Sequence, residues 1–539
     1  MTSTRSALAL CGVVSILALA ACGGGSGSGS DAEEKITLLT AAMPETLNPI
    51  AGYGNTGKGK INEGLLTLSG GADELPELVP NLAAAPPEVS ADATSWTVAI
   101  QPDVTFSDGS ALDAGDVVST YEAIMDEATA SPIAGDLVNL RSVEAVDETT
   151  VRFTLKQPQV SFKTLLLIGI APSETITAAQ KVEESVLNQE PIGTGPYVVD
   201  SFTPERLVLT PNQRYRKKAP QVEKVVYLLA ADDNTRVQRM TAGEFDGTVL
   251  PPRLAETFAD RDGFDVVGSK TADWRGLSLP PDNPFTSDPA ARMALNIGID
   301  RDEIITGVLA GRGRAASGFI PPEYGEYYDP TAVFDFDRDR ANQMLEDAGW
   351  VRGKDGIRTR GGERAAFTLM YRPSDLLRRD LSAAFASQVL ELGVDVTLQG
   401  VDFAQAEPRI ATDAILLGGG DTPYDVDSQV FKMLHSSYPE AGSFYDNPSM
   451  FADPEMDRQL EAGRTSLDEH SRVAAYRKVQ DLYVRSPSMV VLAFVDHMYV
   501  QKTSVAKAWD GTSTLLEPHE HGTAWGPWVD IDLWTARDR

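Results

Sequence analysis

The chain has 539 residues, with 47 Lys and Arg against 78 Asp and Glu, a formal charge of −31, and two cysteines. At roughly 150 residues per domain this is about three folding units, and 42% hydrophobic residues is ordinary for a globular chain. The acidity excludes a nucleic-acid backbone or an anionic membrane surface as partner, because both repel it. Two cysteines exclude a disulfide scaffold and a cysteine-rich metal cluster.

Arg5 precedes an apolar stretch, Ala7 to Ala21, too short to cross a bilayer and placed as the apolar region of a signal peptide. It ends in Leu19-Ala20-Ala21-Cys22. This is similar to the bacterial lipobox, in which small residues admit a peptidase and the exposed thiol is diacylated as the new N-terminus. The Gly/Ser tract Gly23 to Ser30 then reads as a flexible tether. Cleavage removes Cys11 with residues 1–21 and leaves Cys22 as the one thiol, so no internal disulfide forms. A body anchored outside the cytoplasm has no routine access to ATP or NAD.

In chain order, Lys35 to Leu39 reads as a strand, as do Trp96 to Gln101 and Val151 to Leu155, from their β-branched or alternating residues. Asp113 to Ala128 has helical apolar spacing with Asp113 as N-cap. Leu207 to Thr210 and Val222 to Ala230 are strand-like. Asp337 to Ala348 reads as a helix stopped by Gly349, and Asp375 to Leu392 as a long one stopped by Gly393, before a strand at Val394 to Leu398. Met456 to Val484 holds two helices with Asp468 as the cap between them; Pro487 ends the second, and Met489 to Phe494 is an apolar strand. Strands and helices alternate throughout, which predicts an α/β chain.

Several motifs look chemical and read better as structure. Gly52 to Gly59 nearly spells a phosphate-binding loop, but Gly59 stands where Ser or Thr is required; it reads as a flexible loop able to face a ligand. Asp421 to Asp427 starts like a calcium loop but lacks its glycine, and Lys432 stands where a bidentate Glu is needed. His519 and His521 share a face if extended, with no further His nearby, so no metal is assigned. His435, His470 and His497 are scattered, and neither Gly-x-Ser-x-Gly nor His-Glu-x-x-His occurs. No catalytic residue and no cofactor are assigned.

Blocks spread along the body carry a resemblance. They include Leu47-Asn48-Pro49, Glu63-Gly64-Leu65-Leu66, Val104-Thr105-Phe106-Ser107-Asp108-Gly109 with Asp116-Val117, and Pro191-Ile192-Gly193-Thr194-Gly195-Pro196-Tyr197. Gly243-Glu244-Phe245-Asp246, Arg292-Met293-Ala294-Leu295, Ile299-Asp300-Arg301, Leu345 to Trp350 and Arg472 to Tyr476 follow in order. The sequence thereby resembles the family 5 extracellular solute-binding proteins, the peptide- and nickel-binding lipoproteins of ATP-driven importers. Most of these blocks read as turns and close crossings, with Phe106 anchoring a turn and Gly193 and Gly195 letting the chain pass at close quarters.

The resemblance implies a two-lobed periplasmic-binding-protein type II fold (cluster C) with an additional domain, hinged around a cleft. It divides the chain into a signal (1–21), a tether (22–33), a first domain (34–70, 193–270 and 500–539), a second (71–192) and a third (271–499). It implies a monomer that captures di- or oligopeptides and passes them to ABC permease and ATPase subunits. The zwitterionic ends of a peptide need an anion and a cation in the cleft. By motif these are Asp421, in Gly420-Asp421-Thr422-Pro423-Tyr424-Asp425, and Arg372, in the Arg372-Pro373 pair. Tyr53 and Gly54 are expected to close over the ligand and Trp274 to supply an apolar wall. Gly418-Gly419-Gly420 replace the bulky aromatic common before the Asp, which implies a roomier pocket. The rival solutes are an opine, a sugar or a metal chelate, although Asp425, Val426 and Asp427 stand where nickel binders place a His. The rival activities are an extracellular hydrolase and a sensor or adhesion protein.

Overall fold

Local chemistry places the helices. Asp113 and Asp116 form a reciprocal capping box at the start of the helix Ala114–Met125. Asp337 caps Arg338–Asp347, Asp375 caps Leu376–Glu391 and Asp468 caps Glu469–Arg485, each accepting a backbone N–H of the first turn. Gly349 and Gly393 follow the first two of these in the left-handed conformation that favours glycine. The computed structural model describes residues 35–71, 73–420, 424–438, 445–511, 513–519 and 522–537. The segments read from sequence as signal and tether, with Cys22, and also Asp421 and His521, lie outside the described residues. Among the described residues no helix is long and apolar enough to cross a membrane.

Three sheets organise the body. The first has seven strands in the order Phe264–Ser269, His497–Lys502, Gly247–Leu250, Lys35–Thr40, Lys224–Leu229, Arg206–Pro211, Tyr197–Thr203. Lys35–Thr40 runs parallel to both of its neighbours, and the other pairs are antiparallel. The second has six strands in the order Gly313–Ala315, Met489–Val495, Trp274–Ser278, Ala414–Gly419, Ala366–Tyr371, Asp395–Gly400. The third is antiparallel, Glu88–Val89, Ser95–Ala99, Thr150–Leu155, Leu140–Asp147, with the helix Ala114–Met125 packed on it.

The first and third sheets share one hydrophobic core, and the second sheet has its own. The molecule is therefore two lobes, the first enlarged by the four-stranded domain, in the mixed α/β manner of periplasmic binding proteins. The chain leaves the first sheet after Ser269 and enters the second at Trp274; it returns between Val495 and His497. These two crossings lie side by side: the Thr271 hydroxyl donates to the Val495 carbonyl at 2.6 Å, and the Val495 N–H to the Asp273 carbonyl at 2.9 Å.

The glycines at Gly193 and Gly195 answer a close approach. A Cβ at either would sit 2.2 or 2.5 Å from the Ile61 carbonyl oxygen, because residues 60–61 bond to this segment backbone to backbone. Phe106 is fully buried under its turn, closed by the Gly109 N–H donating to the Phe106 carbonyl.

Candidate functional site

A cavity of about 740 Å³ opens between the lobes. That is within the size range of small-molecule sites, about 300–1,000 Å³. From the first lobe it is bordered by the end of Lys35–Thr40, the segment around Glu45 and the glycine-rich loop from Gly52 to Lys60. Asn48 starts that loop by accepting the Ile50 N–H at 3.0 Å, and Gly52, Gly54 and Gly57 all take positive φ. Tyr53 and Gly54 border the cavity. Tyr53 also packs on the first-lobe core, and burial raises its phenol pKa above the usual range. Lys58 and Lys60 border it too but are held from behind: Lys58 pairs with Asp530 at 2.9 Å, and Lys60 pairs with Asp532 at 3.4 Å and donates to the Val529 carbonyl.

The second lobe contributes Arg275, Asp375 and Arg378, and the C-terminal segment lays His519 against it, the His519 N–H donating to the Gly420 carbonyl at 3.0 Å. Arg275 stands in the strand Trp274–Ser278, opposite Gly418 of Ala414–Gly419. Its side chain crosses over that glycine, where a Cβ would lie 2.7 Å from Arg275 Nη1 and 2.6 Å from His519 Cε1. Arg378 is in the first turn of Leu376–Glu391. Asp375 accepts its backbone N–H at 2.9 Å and pairs with its guanidinium, so the helix cap also aims the side chain. Both arginines are more than nine-tenths buried.

A buried ionic network joins this wall to the crossings between lobes. Asp273, fully buried, accepts from Arg275 Nη2 at 2.7 Å, His519 Nδ1 at 2.7 Å and His497 Nε2 at 3.1 Å. His497 Nδ1 donates to Glu517 at 2.9 Å, and Glu517 also accepts from the Tyr499 hydroxyl at 2.6 Å. With both ring nitrogens on carboxylates, His497 donates twice and is the protonated form. Burial alone lowers its pKa, and the bonds to Asp273 and Glu517 reverse this and raise it. Burial works against the Asp273 carboxylate as well, but Arg275 and His519 hold it well below the usual range. His519 Nε2 meets Arg378 Nη2 at 3.4 Å, so the network reaches the cavity.

The structure redistributes the residues expected from sequence. Arg372 is a correction: it lies in the exposed turn after Ala366–Tyr371, its guanidinium 5.8 Å from the Phe403 ring centre, and it does not border the cavity. Trp274 is another: it is buried in the second-lobe core, edge-on to Phe319 at 5.0 Å, with its indole lying where a Gly419 side chain would be. Successive strand residues face opposite sides, so Arg275 takes the cleft face and Trp274 the core face. Asp421 lies outside the described residues. Sequence reasoning missed Arg275, Arg378, Asp375 and Glu45 as cleft residues. A lone charge in an otherwise apolar strand, Trp274–Ser278, was the available signal for Arg275.

The described part of the second lobe also grips the four-stranded domain. The Ser161 hydroxyl donates to Asp427, Lys163 pairs with Asp425 at 3.4 Å, and Lys432 with Asp136 at 2.8 Å. Asp425 is backed by Arg472 at 2.7 Å. Tyr424, beside this contact, is buried in the first-lobe core.

Comparison with known proteins places the fold and the family together. The sequence model described as "Bacterial extracellular solute-binding proteins, family 5 Middle" matches residues 77–440. Protein XP55 of Streptomyces lividans is 38% identical over 489 residues, covering 90% of this chain and 88% of its own. The NikZ structure of Campylobacter jejuni in complex with Ni(L-His) superposes with a TM-score of 0.81 at 23% identity, covering 93% of this chain and 99% of its own. The oligopeptide-binding protein AppA of Bacillus subtilis, in complex with a nonapeptide, superposes with a TM-score of 0.75 at 20% identity, covering 94% and 99%.

Proposed function

We propose, since this chain belongs to the bacterial extracellular solute-binding proteins of family 5, that the solute it binds is a peptide, held between the lobes. Proteins of this family are the solute receptors of ABC importers and work with permease and ATPase subunits. The observation that carries the peptide reading is the cavity of about 740 Å³ with a carboxylate, Glu45, on one lobe and guanidinium groups on the other. A zwitterion loses water at both ends on entering such a space and needs a partner of each sign. Asp421, adjoining the described Gly420, is a second proposed partner for the ammonium end. Closure of the lobes on the peptide then presents a single shape to the permease.

The protein acts as a monomer tethered through a diacylated Cys22. The lipobox order of signal, small residues, cysteine and Gly/Ser tract supports that anchor. The nickel–histidine complex of the Campylobacter relative makes a chelate the second reading; a chelate rich in carboxylates fits the arginine wall but leaves Glu45 without a cationic partner. Mass spectrometry of solute released from protein purified without refolding tests the two. Peptides of a few residues are expected; a metal chelate or a sugar would overturn the reading. Radiolabelled palmitate on the wild type and its absence from Cys22→Ser tests the anchor.

A further inference from the structure

We propose that Tyr424 is the latch of lobe closure: its ring enters the first-lobe core as the lobes close on solute and withdraws as they open. The inference rests on the cleft being a solute site that closes. It goes further by naming the side chain that sets how firmly the closed form holds.

Tyr424 is 1% exposed and belongs to the core shared by the first and third sheets. No other described residue from Trp274 to Val495 belongs to that core. Its chain neighbours carry the polar side of the same contact. Asp425 and Asp427 meet Lys163 and the Ser161 hydroxyl of the 3-10 helix Val160–Leu167. Between those two, Phe162 is fully buried in the core that Tyr424 enters. One short stretch of the second lobe thus supplies an apolar plug and two polar clasps.

The contact is built to come apart. When Ser161 and Lys163 withdraw, Asp427 keeps Arg464 at 3.0 Å and the Tyr476 hydroxyl at 3.2 Å, and Asp425 keeps Arg472 at 2.7 Å, all within the second lobe. Opening therefore strands neither carboxylate without a partner, which is the costly event in breaking a buried pair. Lys163 is partly exposed, so its own pair is weak. The ring is balanced as well. Burying it is favourable, but the Tyr424 hydroxyl is buried with no hydrogen-bond partner among the described residues, and that opposes the gain. In water the hydroxyl regains partners while the ring loses its cover. Three other tyrosines of this core are satisfied: Tyr121 donates to the Leu165 carbonyl at 2.7 Å, Tyr197 to the Val222 carbonyl at 3.1 Å and Tyr499 to Glu517 at 2.6 Å. Tyr227 is not, and it borders the cavity. A contact made only in the closed form adds to solute affinity and nothing to the stability of the open form.

The test compares wild type, Tyr424→Ala and Tyr424→Phe, with circular dichroism as the check on folding. The probe is a peptide captured by the wild type from a tryptic digest of casein, and calorimetry gives its affinity. Tyr424→Ala should cost about tenfold to a hundredfold in affinity. Tyr424→Phe keeps the ring and drops the unpaired hydroxyl, so it should bind as tightly as wild type or up to about tenfold tighter. Without solute, Tyr424→Ala should melt with the wild type, and the radius of gyration by X-ray scattering should be smaller for Tyr424→Phe than for Tyr424→Ala. If Tyr424→Ala fails to fold, melts lower without solute or binds the peptide as wild type does, Tyr424 is an ordinary core residue and the latch is overturned. Weaker binding by Tyr424→Phe also overturns it. If the wild type captures no peptide, the peptide reading fails and the scattering comparison alone decides: equal radii overturn the latch, and the expected order upholds it.

Discussion

His497→Gln tests whether the ionic network at the lobe crossings holds the molecule together. In the native protein the imidazole sits between two fully buried carboxylates, Asp273 and Glu517, with Arg275, His519 and Tyr499 as their further partners. Glutamine keeps one donor and removes the positive charge, leaving two carboxylates facing each other in a dry site. Breaking a buried pair from one side costs about 3–5 kcal/mol, which is roughly 6–20 °C of melting temperature for a lobe of this size. The pH dependence carries the sign. The folded pKa of His497 is raised above its ordinary value of about 6.5. Its contribution is therefore fully present below about pH 6.5 and is lost as pH rises through the folded value. Asp273 is lowered, so its contribution is present above the ordinary carboxylate value and is lost only as pH falls through its depressed one. Thermal unfolding by circular dichroism from about pH 5 to about pH 9 should show the widest gap between wild type and variant at the acid end, narrowing as pH rises. A gap of the same size at every pH, or a variant as stable as wild type throughout, would refute the imidazolium bridge.

Gly193→Ala should destabilise by at least about 1–3 kcal/mol, because its Cβ would lie 2.2 Å from the Ile61 carbonyl oxygen, backbone that cannot move aside, as well as 2.3 Å from Asn62 Oδ1; chemical denaturation measures it. Gly418→Ala should push Arg275 and His519 off Asp273, so solute affinity and melting temperature both fall; calorimetry with a captured peptide and thermal unfolding check it. The double change Lys163→Ala and Lys432→Ala removes two ion pairs whose lysines are partly exposed, each worth about 0–1 kcal/mol, and the buried Asp425 keeps Arg472 as its partner. Stability should hardly change, while the radius of gyration of the solute-free protein by X-ray scattering should increase as the grip on the four-stranded domain loosens.

Local rules carried the secondary structure far and the cleft only partway. Capping aspartates and terminal glycines sit where the helices start and stop, as at Asp375 and Gly393, because those effects act within one turn. The glycine-rich loop around Tyr53 could be read as facing a ligand, since its own composition leaves it open. The cation wall was different. Arg275, Arg378 and His519 come from a strand, a helix and the C-terminal segment, and only tertiary packing on the second sheet brings them to one cavity. Expecting the cation at Arg372 followed a local pair of residues; the helix that begins just after it supplies one instead. Expecting Trp274 in the cleft was an error of strand parity: the choice between neighbours on a strand is made by which face meets the core. Buried in an apolar core, an indole gains, and a guanidinium there would lose.

The interleaving of the first sheet has a consequence for biosynthesis. Phe264–Ser269 lies at the sheet's edge, and its one neighbour is His497–Lys502. A chain that emerges N-terminus first thus carries an unpaired strand while everything from Trp274 to Val495 is still being delivered, and that intervening stretch can mature on its own core. Completion of the earlier lobe waits for the final segment to slot between two strands already waiting for it. A nascent or truncated product ending before His497 would display an open hydrogen-bonding edge, the kind of surface that invites pairing between molecules.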